Sequence, residues 1–363
     1  MNETTLRRIA DAMVELGLRD LGYTYFNLDD CWAAGRHQNG TVYTDQAKFP
    51  GGTLKPLADY VHGKGLLFGT YTDRGTATCA GRPGAFRYEE IDAKTYANWG
   101  VDYLKQDSCN APQDHQTAFS QYARMRDALN ATGRPILFSL CGWNSWYAPL
   151  GSGLGNSWRV GPDDVNWDGV LKNIDIMNGL EQFAGPGGWN DPCLLLSRKW
   201  TGDLRVSELQ TRAQFTMWAV LAAPLLISGT VLNMTRETLE TYSNREVIAV
   251  NQDPSGRQGR RVLGGSLADG SSCNVWARAL SDGSCAVVFL NAGKQPENVT
   301  CGQDCFRSMG FAATDRLAVR DLWAKKALPD IRSATFTTQL EPNGGHLMLT
   351  IKKVGWPDAT AFV

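Results

Sequence analysis

The sequence predicts an α/β protein built as a (β/α)8 TIM barrel that lacks its first strand, followed by a C-terminal antiparallel β-sandwich-like domain. Predicted helices and short apolar strands alternate along residues 1–253, which is typical of right-handed βα units around a parallel sheet. No G-x-G-x-x-G phosphate loop follows the first strand, and this disfavours a doubly wound open sheet. After residue 253 short alternating runs are separated by Asp-Gly and Asn-Gly-Gly turns. We therefore expect a barrel over residues 1–253 and an antiparallel domain over residues 254–363.

The barrel elements repeat one format, in which an amphipathic helix leads into an apolar strand that stops at polar residues. The predicted helix and strand pairs are residues 5–16 and 23–28, 54–63 and 66–71, 88–99 and 101–107, 117–131 and 135–141, 170–179 and 189–192, and 208–221 and 225–228. In the C-terminal domain the clearest strands are residues 275–277, 285–290 and 346–351. Because the carboxyl ends of barrel strands share one face, the polar residues that follow them should meet there.

Composition narrows the class of partner. The chain has 363 residues, 43% of them hydrophobic, which is enough to fill a substantial core. A net charge of -1, with no Lys/Arg cluster, provides no attraction for nucleic acid or for an anionic membrane. No uninterrupted apolar run is long enough to span a bilayer. We expect a small-molecule or glycan substrate, and 12 tryptophans suit sugar faces as well as cores. The sequence leaves the oligomeric state open and allows a homodimer.

Cysteine usage and sequons point to the secretory pathway. Nine cysteines, with a Cys301-x-x-x-Cys305 pair and no metal-like Cys/His array, predict disulfides and an oxidising compartment. Asn-x-Ser/Thr sequons agree with this route. They begin at Asn2, Asn39, Asn130, Asn233 and Asn298. The expected location is secreted or vacuolar/lysosomal, although Met1 leads straight into a helical segment with no visible signal peptide.

Carboxylates dominate the predicted strand ends, and they favour an enzyme that needs neither metal nor cofactor. They are Asp29, Asp30, Asp73, Asp107, Asp163, Asp164 and Asp191. The chain has only four histidines, none in a metal-binding arrangement, so a metal hydrolase would need ligands that are all oxygens. Two carboxyl groups about 5 Å apart, one ionised and one protonated, are what retaining glycoside cleavage requires.

Asp107 closes the apolar run 101–107 and is the predicted nucleophile. Lys105 precedes it by two residues, so both side chains point the same way and the ammonium would keep Asp107 ionised. A structural salt bridge is the equally weighted alternative. Arg159 lies four residues before Asp163, where a guanidinium could hold a substrate hydroxyl or orient a carboxylate. For Asp29 and Asp30 the competing reading is a turn or a helix cap.

Five motifs occur in order through nearly the whole barrel region. They are Tyr25-x-Asn27-x-Asp29-Asp30-Cys31-Trp32, Gly69-x-Tyr71-x-Asp73 with Cys79-Ala80-Gly81-Arg82-Pro83-Gly84, Tyr103-x-Lys105-x-Asp107-x-Cys109, Asn156-Ser157-Trp158-Arg159 and Trp189-Asn190-Asp191-Pro192. Together they resemble the melibiase-type α-galactosidase and α-N-acetylgalactosaminidase family, and the C-terminal β domain fits the same resemblance.

The resemblance implies retaining hydrolysis of terminal α-linked galactosyl residues, with Asp107 as nucleophile and Asp163 as general acid/base. The segment from Arg159 to Trp167 is one residue shorter than in the family, so Asp164 is the alternative acid/base. The resemblance further implies substrate-binding roles for Asp29, Asp30, Tyr71, Lys105, Trp143, Arg159 and Asp191. It also implies a Cys79–Cys109 disulfide beside the nucleophile, and Cys301–Cys305 is expected as a second bridge.

Three departures from the family pattern weaken the assignment of the sugar. The first barrel strand has no counterpart, which leaves Cys31 without its upstream partner. Gly142 replaces the family's Glu or Ser near the 2-position, and with the small Ser145 it is expected to leave room for an N-acetyl group or another sugar. Cys193 replaces a pocket carboxylate. The alternatives are an α-N-acetylgalactosaminidase, a relative that cleaves arabinopyranosyl or glucosyl ends, and a catalytically weak carbohydrate-binding protein.

Overall fold

The computed structural model describes residues 1–196 and 206–355, so residues 356–363 of the predicted C-terminal domain lie outside it. The chain divides into two compact units. The N-terminal unit comprises Met1–Arg159 with Thr230–Leu232, and the C-terminal unit comprises Val160–Gly229 and Asn233–Val363. Within the described ranges, no helix has both the length and the apolar character needed to cross a membrane.

The N-terminal unit alternates strands and helices as predicted. Its strands are β1 (Tyr25–Asn27), β2 (Ala33–Arg36), β3 (Val42–Thr44), β4 (Leu67–Asp73), β5 (Tyr103–Asp107), β6 (Leu137–Leu140) and β7 (Ser157–Arg159). Its helices are α1 (Glu3–Glu15), α2 (Lys55–Gly63), α3 (Glu89–Trp99), α4 (His115–Ala131) and α5 (Ala148–Leu154), with 3₁₀ turns at Arg19–Leu21 and Ser145–Tyr147. The antiparallel hairpin of β2 and β3 is an insertion that the repeating format did not predict.

Five of these strands form a parallel sheet in the order β1-β4-β5-β6-β7, with β1 at one edge. This half-barrel confirms the predicted parallel architecture. The ladder between β4 and β5 pairs Gly69 with Tyr103 and Asp73 with Asp107. Both strands therefore end at the same level, and their last side chains are placed next to each other.

Local signals explain where the helices begin and end. The Asn2 side chain caps α1 by accepting a hydrogen bond from the Thr5 N–H at 3.0 Å. Asp114 caps α4 in the same way, so this helix begins two residues before the predicted start. Gly100 ends α3 with a φ of 83°, a left-handed conformation that glycine adopts without strain.

The C-terminal unit contains helices from the barrel region and the antiparallel domain. Its helices are α6 (Trp167–Met177), α7 (Glu208–Val220), α8 (Arg236–Tyr242), α9 (Arg245–Asn251) and α10 (Gln303–Ser308), with a 3₁₀ turn at Glu181–Phe183. Another 3₁₀ turn, Val231–Asn233, begins in residues of the N-terminal unit and ends at the first residue of the last C-terminal range. Its strands are β8 (Trp189–Asp191), β9 (Arg260–Gly264), β10 (Cys273–Ala279), β11 (Cys285–Asn291), β12 (Glu297–Cys301), β13 (Leu317–Asp321), β14 (Lys326–Ile331), β15 (Phe336–Leu340) and β16 (Gly345–Lys353). The strand predicted at 225–228 is reduced to a single parallel bridge between Leu195 and Ile227.

Two layers of antiparallel strands confirm the predicted C-terminal architecture. A six-stranded sheet has the order β14-β13-β16-β11-β10-β9, and β12 pairs with β15 in a second sheet. Val275 and Val287 of the larger sheet share one buried apolar cluster with Val299 and Leu340 of the smaller. The alternating apolar residues thus face the layer between the sheets.

Candidate active site

Asp107 is the last residue of β5, and its side chain is held from three directions. Its Oδ1 accepts a hydrogen bond from the Ser108 N–H at 2.9 Å, and its Oδ2 accepts one from the Tyr71 hydroxyl at 3.0 Å. The Lys105 Nζ lies 3.9 Å from the same Oδ2. Asp107 is only 5% exposed, so one oriented carboxylate stands in a largely dry position at the strand end.

The pKa of Asp107 is set by a balance between burial and neighbouring groups. Burial raises the pKa of Asp107, and this effect outweighs the lowering by Lys105 and by the Ser108 N–H. The Lys105 Nζ is closer to Asp29 Oδ2, at 2.8 Å, than to Asp107. Lys105 therefore favours the ionised nucleophile but does not by itself hold the pKa at its ordinary value.

Asp73, at the end of β4, is a buried carboxylate beside Asp107. The sequence motifs had suggested no specific role for it. Its Oδ1 accepts the Gly75 N–H at 2.7 Å, and its Oδ2 accepts the Cys109 N–H at 2.8 Å. The side chain is fully buried. Burial and, to a smaller extent, the neighbouring Asp107 charge raise the pKa of Asp73 to about 7, although the two N–H donors act to lower it. Two acidic groups thus titrate next to each other at the strand ends.

The disulfide expected beside the nucleophile is present between Cys79 and Cys109. The Tyr71 hydroxyl lies 3.3 Å from Cys79 Sγ, so the phenol touches both the disulfide and Asp107. The two sulfurs and the carboxylates of Asp73 and Asp107 all lie within 4.8 Å of one another. Sulfurs joined in a disulfide are not thiolate ligands, so this group has the chemistry of a braced carboxylate pair rather than a metal centre. Cys301 and Cys305 form the second disulfide.

Asp29 and Asp30 form a turn after β1, and Asp29 also contacts Lys105 beside the nucleophile. Asp29 Oδ1 accepts the Asp30 N–H at 2.8 Å, while its Oδ2 binds Lys105. Asp30 Oδ1 accepts the Cys31 N–H at 2.6 Å, and its Oδ2 accepts the Ala80 N–H at 3.0 Å. Both residues therefore stabilise a turn, as the alternative interpretation expected. Asp29 is also linked to the nucleophile through Lys105, whose Nζ lies near both carboxylates.

The loop after β6 brings Cys141 and Arg159 together and corrects the expectation at Gly142. Arg159 is 3% exposed, and its Nη1 lies 3.8 Å from Cys141 Sγ. A Cβ added to Gly142 would lie 1.9 Å from Cε2 of Tyr147. The space that Gly142 was expected to leave open is filled by that ring. The half-buried Trp143 follows in a left-handed conformation with φ 57°.

The remaining predicted site residues belong to the C-terminal unit. Asp163 is exposed, whereas Asp164 is 4% exposed and its Oδ2 accepts a hydrogen bond from Gln214 Nε2 at 2.9 Å. Asp191 in β8 is buried, and its carbonyl accepts the Val160 N–H at 2.9 Å. The N-terminal unit brings together Asp29, Asp30, Tyr71, Lys105, Asp107 and Arg159 at its strand ends, with Trp143 on the loop after β6.

Parallel strands that end in oriented, buried carboxylates, followed by an antiparallel domain, are the arrangement expected of a barrel-type glycoside hydrolase. Comparison with known families agrees. Residues 1–253 match the family model described as alpha galactosidase A, and residues 270–350 match that of the alpha galactosidase C-terminal beta sandwich domain. The chain belongs to the alpha-galactosidase (melibiase) family.

Individual relatives match over nearly the full chain. A probable alpha-galactosidase of Dictyostelium discoideum is 40% identical over 355 residues, which cover 97% of this chain and 88% of the relative. The crystal structure of alpha-galactosidase I from Mortierella vinacea has a TM-score of 0.87 and 33% identity, covering 97% of this chain and 93% of that one. The structure of a Saccharomyces cerevisiae alpha-galactosidase with raffinose has a TM-score of 0.86 and 29% identity, covering 97% and 94%.

Proposed function

We propose that this glycoside hydrolase releases terminal, non-reducing α-D-galactosyl residues from oligosaccharides or glycoconjugates with retention of configuration. The observation that carries the proposal is Asp107, a buried carboxylate oriented by Tyr71 and Ser108 with an ammonium 3.9 Å away. A nucleophile needs this combination of fixed direction and access to the ionised state. A protein that only binds sugars needs neither.

In the proposed double displacement, Asp107 attacks the anomeric carbon while a second carboxylic acid protonates the departing glycosidic oxygen. The C–O bond to the leaving group breaks, and a β-linked galactosyl ester forms on Asp107. Water then gives a proton to the same second carboxylate and attacks the anomeric carbon from the opposite face, which breaks the bond to Asp107 and releases α-galactose and the free Asp107 carboxylate. Asp29 and Asp30 accept hydrogen bonds from sugar hydroxyls in this scheme, and Lys105 holds Asp29 in place at 2.8 Å.

We assign the second carboxylate to Asp163, with Asp164 as the alternative. An acid/base has to reach the glycosidic oxygen, and of the two candidates Asp163 is the one whose side chain is exposed. Asp164 is buried, and one of its oxygens is engaged by Gln214. This geometry gives Asp164 a role in holding the segment before α6.

The galactosyl assignment follows from the relatives, whereas the residue at position 142 bears on which group is accepted at the sugar's 2-position. The yeast alpha-galactosidase with raffinose makes raffinose-type α-galactosides the first substrates to test. The family's carboxylate at position 142 is absent here, and the Tyr147 ring blocks its place. Contacts to the 2-position must therefore come from other residues, and an α-N-acetylgalactosaminidase, which differs in the group it accepts there, is the second candidate.

The direct test compares initial rates on aryl α-D-galactoside, aryl α-N-acetylgalactosaminide and aryl β-L-arabinopyranoside. We expect the galactoside to be hydrolysed fastest, and Asp107→Asn to lower its kcat by about 1,000-fold or more with the fold intact. Hydrolysis of the galactoside at the wild-type rate by Asp107→Asn would remove the nucleophile assignment. Inactivity of the wild type on all three substrates would instead support a carbohydrate-binding protein.

Azide distinguishes the two candidates for the acid/base. The variant that lacks the true acid/base should keep cleaving substrates with activated leaving groups, and azide should accelerate it by giving α-galactosyl azide. We expect this behaviour for Asp163→Asn, whereas Asp164→Asn should lose stability with no azide rescue. The opposite pattern would transfer the role to Asp164.

We also propose that the protein travels the secretory pathway. All five sequon asparagines are exposed, including Asn130 at the end of α4 and Asn298 in β12. The two disulfides agree with an oxidising compartment. Treating the protein purified from its own source with an N-glycan-removing endoglycosidase should lower its mass. An unchanged mass would count against this location.

A further inference from the structure

A fully buried arginine lies directly behind the candidate nucleophile. Arg74 follows β4 and is 1% exposed. Its Nε donates to Ser108 Oγ at 2.9 Å, its Nη1 to Gln121 Oε1 at 2.6 Å and its Nη2 to the Pro112 carbonyl at 2.7 Å. All three acceptors are neutral. Each nitrogen of the guanidinium thus donates a hydrogen bond, and none of these three acceptors carries a charge that would neutralise it.

These contacts surround the backbone of Asp107. The Arg74 N–H donates to the Asp107 carbonyl at 3.0 Å, and the Arg74 side chain binds Ser108, the next residue. Ser108 Oγ is also 2.8 Å from the Tyr122 hydroxyl, which in turn donates to the Gln106 carbonyl at 3.2 Å. Arg74 therefore contacts both Asp107 and Ser108. Through Ser108 and Tyr122 the same hydrogen-bond network also reaches Gln106, the residue before Asp107.

The buried positive charge of Arg74 also affects the pKa of a neighbouring carboxyl group, Asp73. A guanidinium removed from water without a paired carboxylate is costly, and anions nearby offset that cost. Burial is the main influence on the pKa of Asp73, and the Arg74 charge acts against it by lowering this pKa. The titratable or charged groups around Asp107 and Arg74 are Tyr71 and Asp73 from β4, Lys105 from β5, Asp29 and Asp30 from the loop after β1, Cys141 after β6, Asp114 and Tyr122 from α4 and its cap, and Tyr147.

We propose that Arg74 is a positioning residue for the nucleophile, whose backbone N–H and side chain fix the chain at Asp107 and Ser108. Its buried positive charge is expected to act on the adjacent acidic groups as well. The inference rests on the proposed function, because that function gives Asp107 its role. Arg74 touches no substrate in this scheme and acts through Asp107 and Ser108.

The test separates charge from geometry with Arg74→Gln and Arg74→Lys, assayed on aryl α-D-galactoside across the pH range. Arg74→Gln should lower kcat by about 100-fold with KM within about 3-fold, because misplacing the nucleophile affects the chemical step. It should also move the acid limb of kcat/KM upward by about one pH unit, because the stabilising cation is lost. Arg74→Lys keeps the charge, so its kcat should fall by about 10-fold with the acid limb where the wild type has it.

Two further variants keep the test decisive. Ser108→Ala removes one acceptor of the Arg74 guanidinium but no charge, so kcat should fall without a shift of the acid limb. If Arg74→Gln does not fold, this variant still tests the contact between Arg74 and the chain beside Asp107. The matched control is Arg278→Gln. Arg278 is the other fully buried arginine among the largest buried side chains, and it donates to the carbonyls of Ala219, Val250 and Asn251. Its loss should lower the melting temperature and leave kcat and the acid limb unchanged.

The outcomes distinguish the inference from the proposed function. A folded Arg74→Gln with the kcat and acid limb of the wild type, beside an inactive Asp107→Asn, overturns the positioning role alone. An equal shift of the acid limb in Arg278→Gln overturns it as well, since that shift would follow from lost stability. An active Asp107→Asn overturns the proposed function and the inference together.

Discussion

Asp73 makes the stability of the protein depend on pH in a way that one substitution should remove. The carboxyl is fully buried, and its pKa is raised from 3.8 to about 7. A group whose pKa is raised in the folded state contributes stability that is fully present below its unfolded pKa. That stability is lost as the pH rises through the folded pKa. The window for Asp73 therefore extends from about pH 4 to about pH 7.

The magnitude follows from the size of the shift. About three pKa units correspond to about 4 kcal/mol of unfolding free energy between pH 4 and pH 8. Asp73→Asn removes the titration but leaves one backbone N–H facing the amide nitrogen, at a cost of about 1–3 kcal/mol. The variant should therefore be less stable than the wild type at pH 4, and this deficit should shrink or reverse by pH 8.

The assay is urea unfolding of wild type and Asp73→Asn at pH 4, 6 and 8, with the difference between the two proteins as the readout. Titrating groups that do not interact with Asp73 cancel in this difference. Asp59→Asn, which changes an exposed carboxyl on α2, is the control and should show no such trend. A difference between wild type and Asp73→Asn that stays constant across the three pH values would refute the reasoning.

The remaining predictions concern the loop after β6 and the disulfides. Gly142→Ala places a methyl group 1.9 Å from a Tyr147 carbon, so it should cost about 1–3 kcal/mol of stability, measured by urea unfolding. An unchanged unfolding midpoint would show that the ring moves aside freely. Replacing Cys79 and Cys109 by serine removes a disulfide between residues 30 positions apart and should lower the free energy of unfolding by about 3–4 kcal/mol. It should also lower kcat, because the Cys109 N–H that donates to Asp73 is then less firmly held beside Asp107. The same replacement of Cys301 and Cys305, separated by 4 residues, should leave kcat at the wild-type level, and a matching loss there would contradict a local role for the first bridge.

Much of the fold could be predicted because the responsible signals are local. Helical spacing and apolar runs marked β4, β5 and the helices between them, and parallel strands place their carboxyl ends at one edge. Asp107 and its neighbours on the strand ends were found in this way. The strand predicted at 225–228 shrank to one bridge because an apolar run alone does not provide a continuous pairing partner.

The details of the site depend on contacts that the order of residues does not reveal. Arg74 directly follows the motif that ends at Asp73, but its role depends on Ser108 and Gln121, which other elements supply. The prediction of open space at Gly142 was wrong because the ring that fills it belongs to Tyr147, five residues further on at the end of a 3₁₀ turn. The net effect on the pKa of Asp107 depended on how far burial outweighs Lys105, and only the folded structure sets that balance.

The central claim is that Asp107 forms a covalent bond to the sugar, and trapping that bond tests it most directly. Wild-type protein would be treated with a fluorinated galactosyl inactivator carrying an activated leaving group, then digested and mapped by mass spectrometry. The account predicts a single galactosyl-type label on Asp107, and no label at that position in Asp107→Asn. A label on another carboxylate, or release of β-galactose as the first product with no labelled protein, would contradict it.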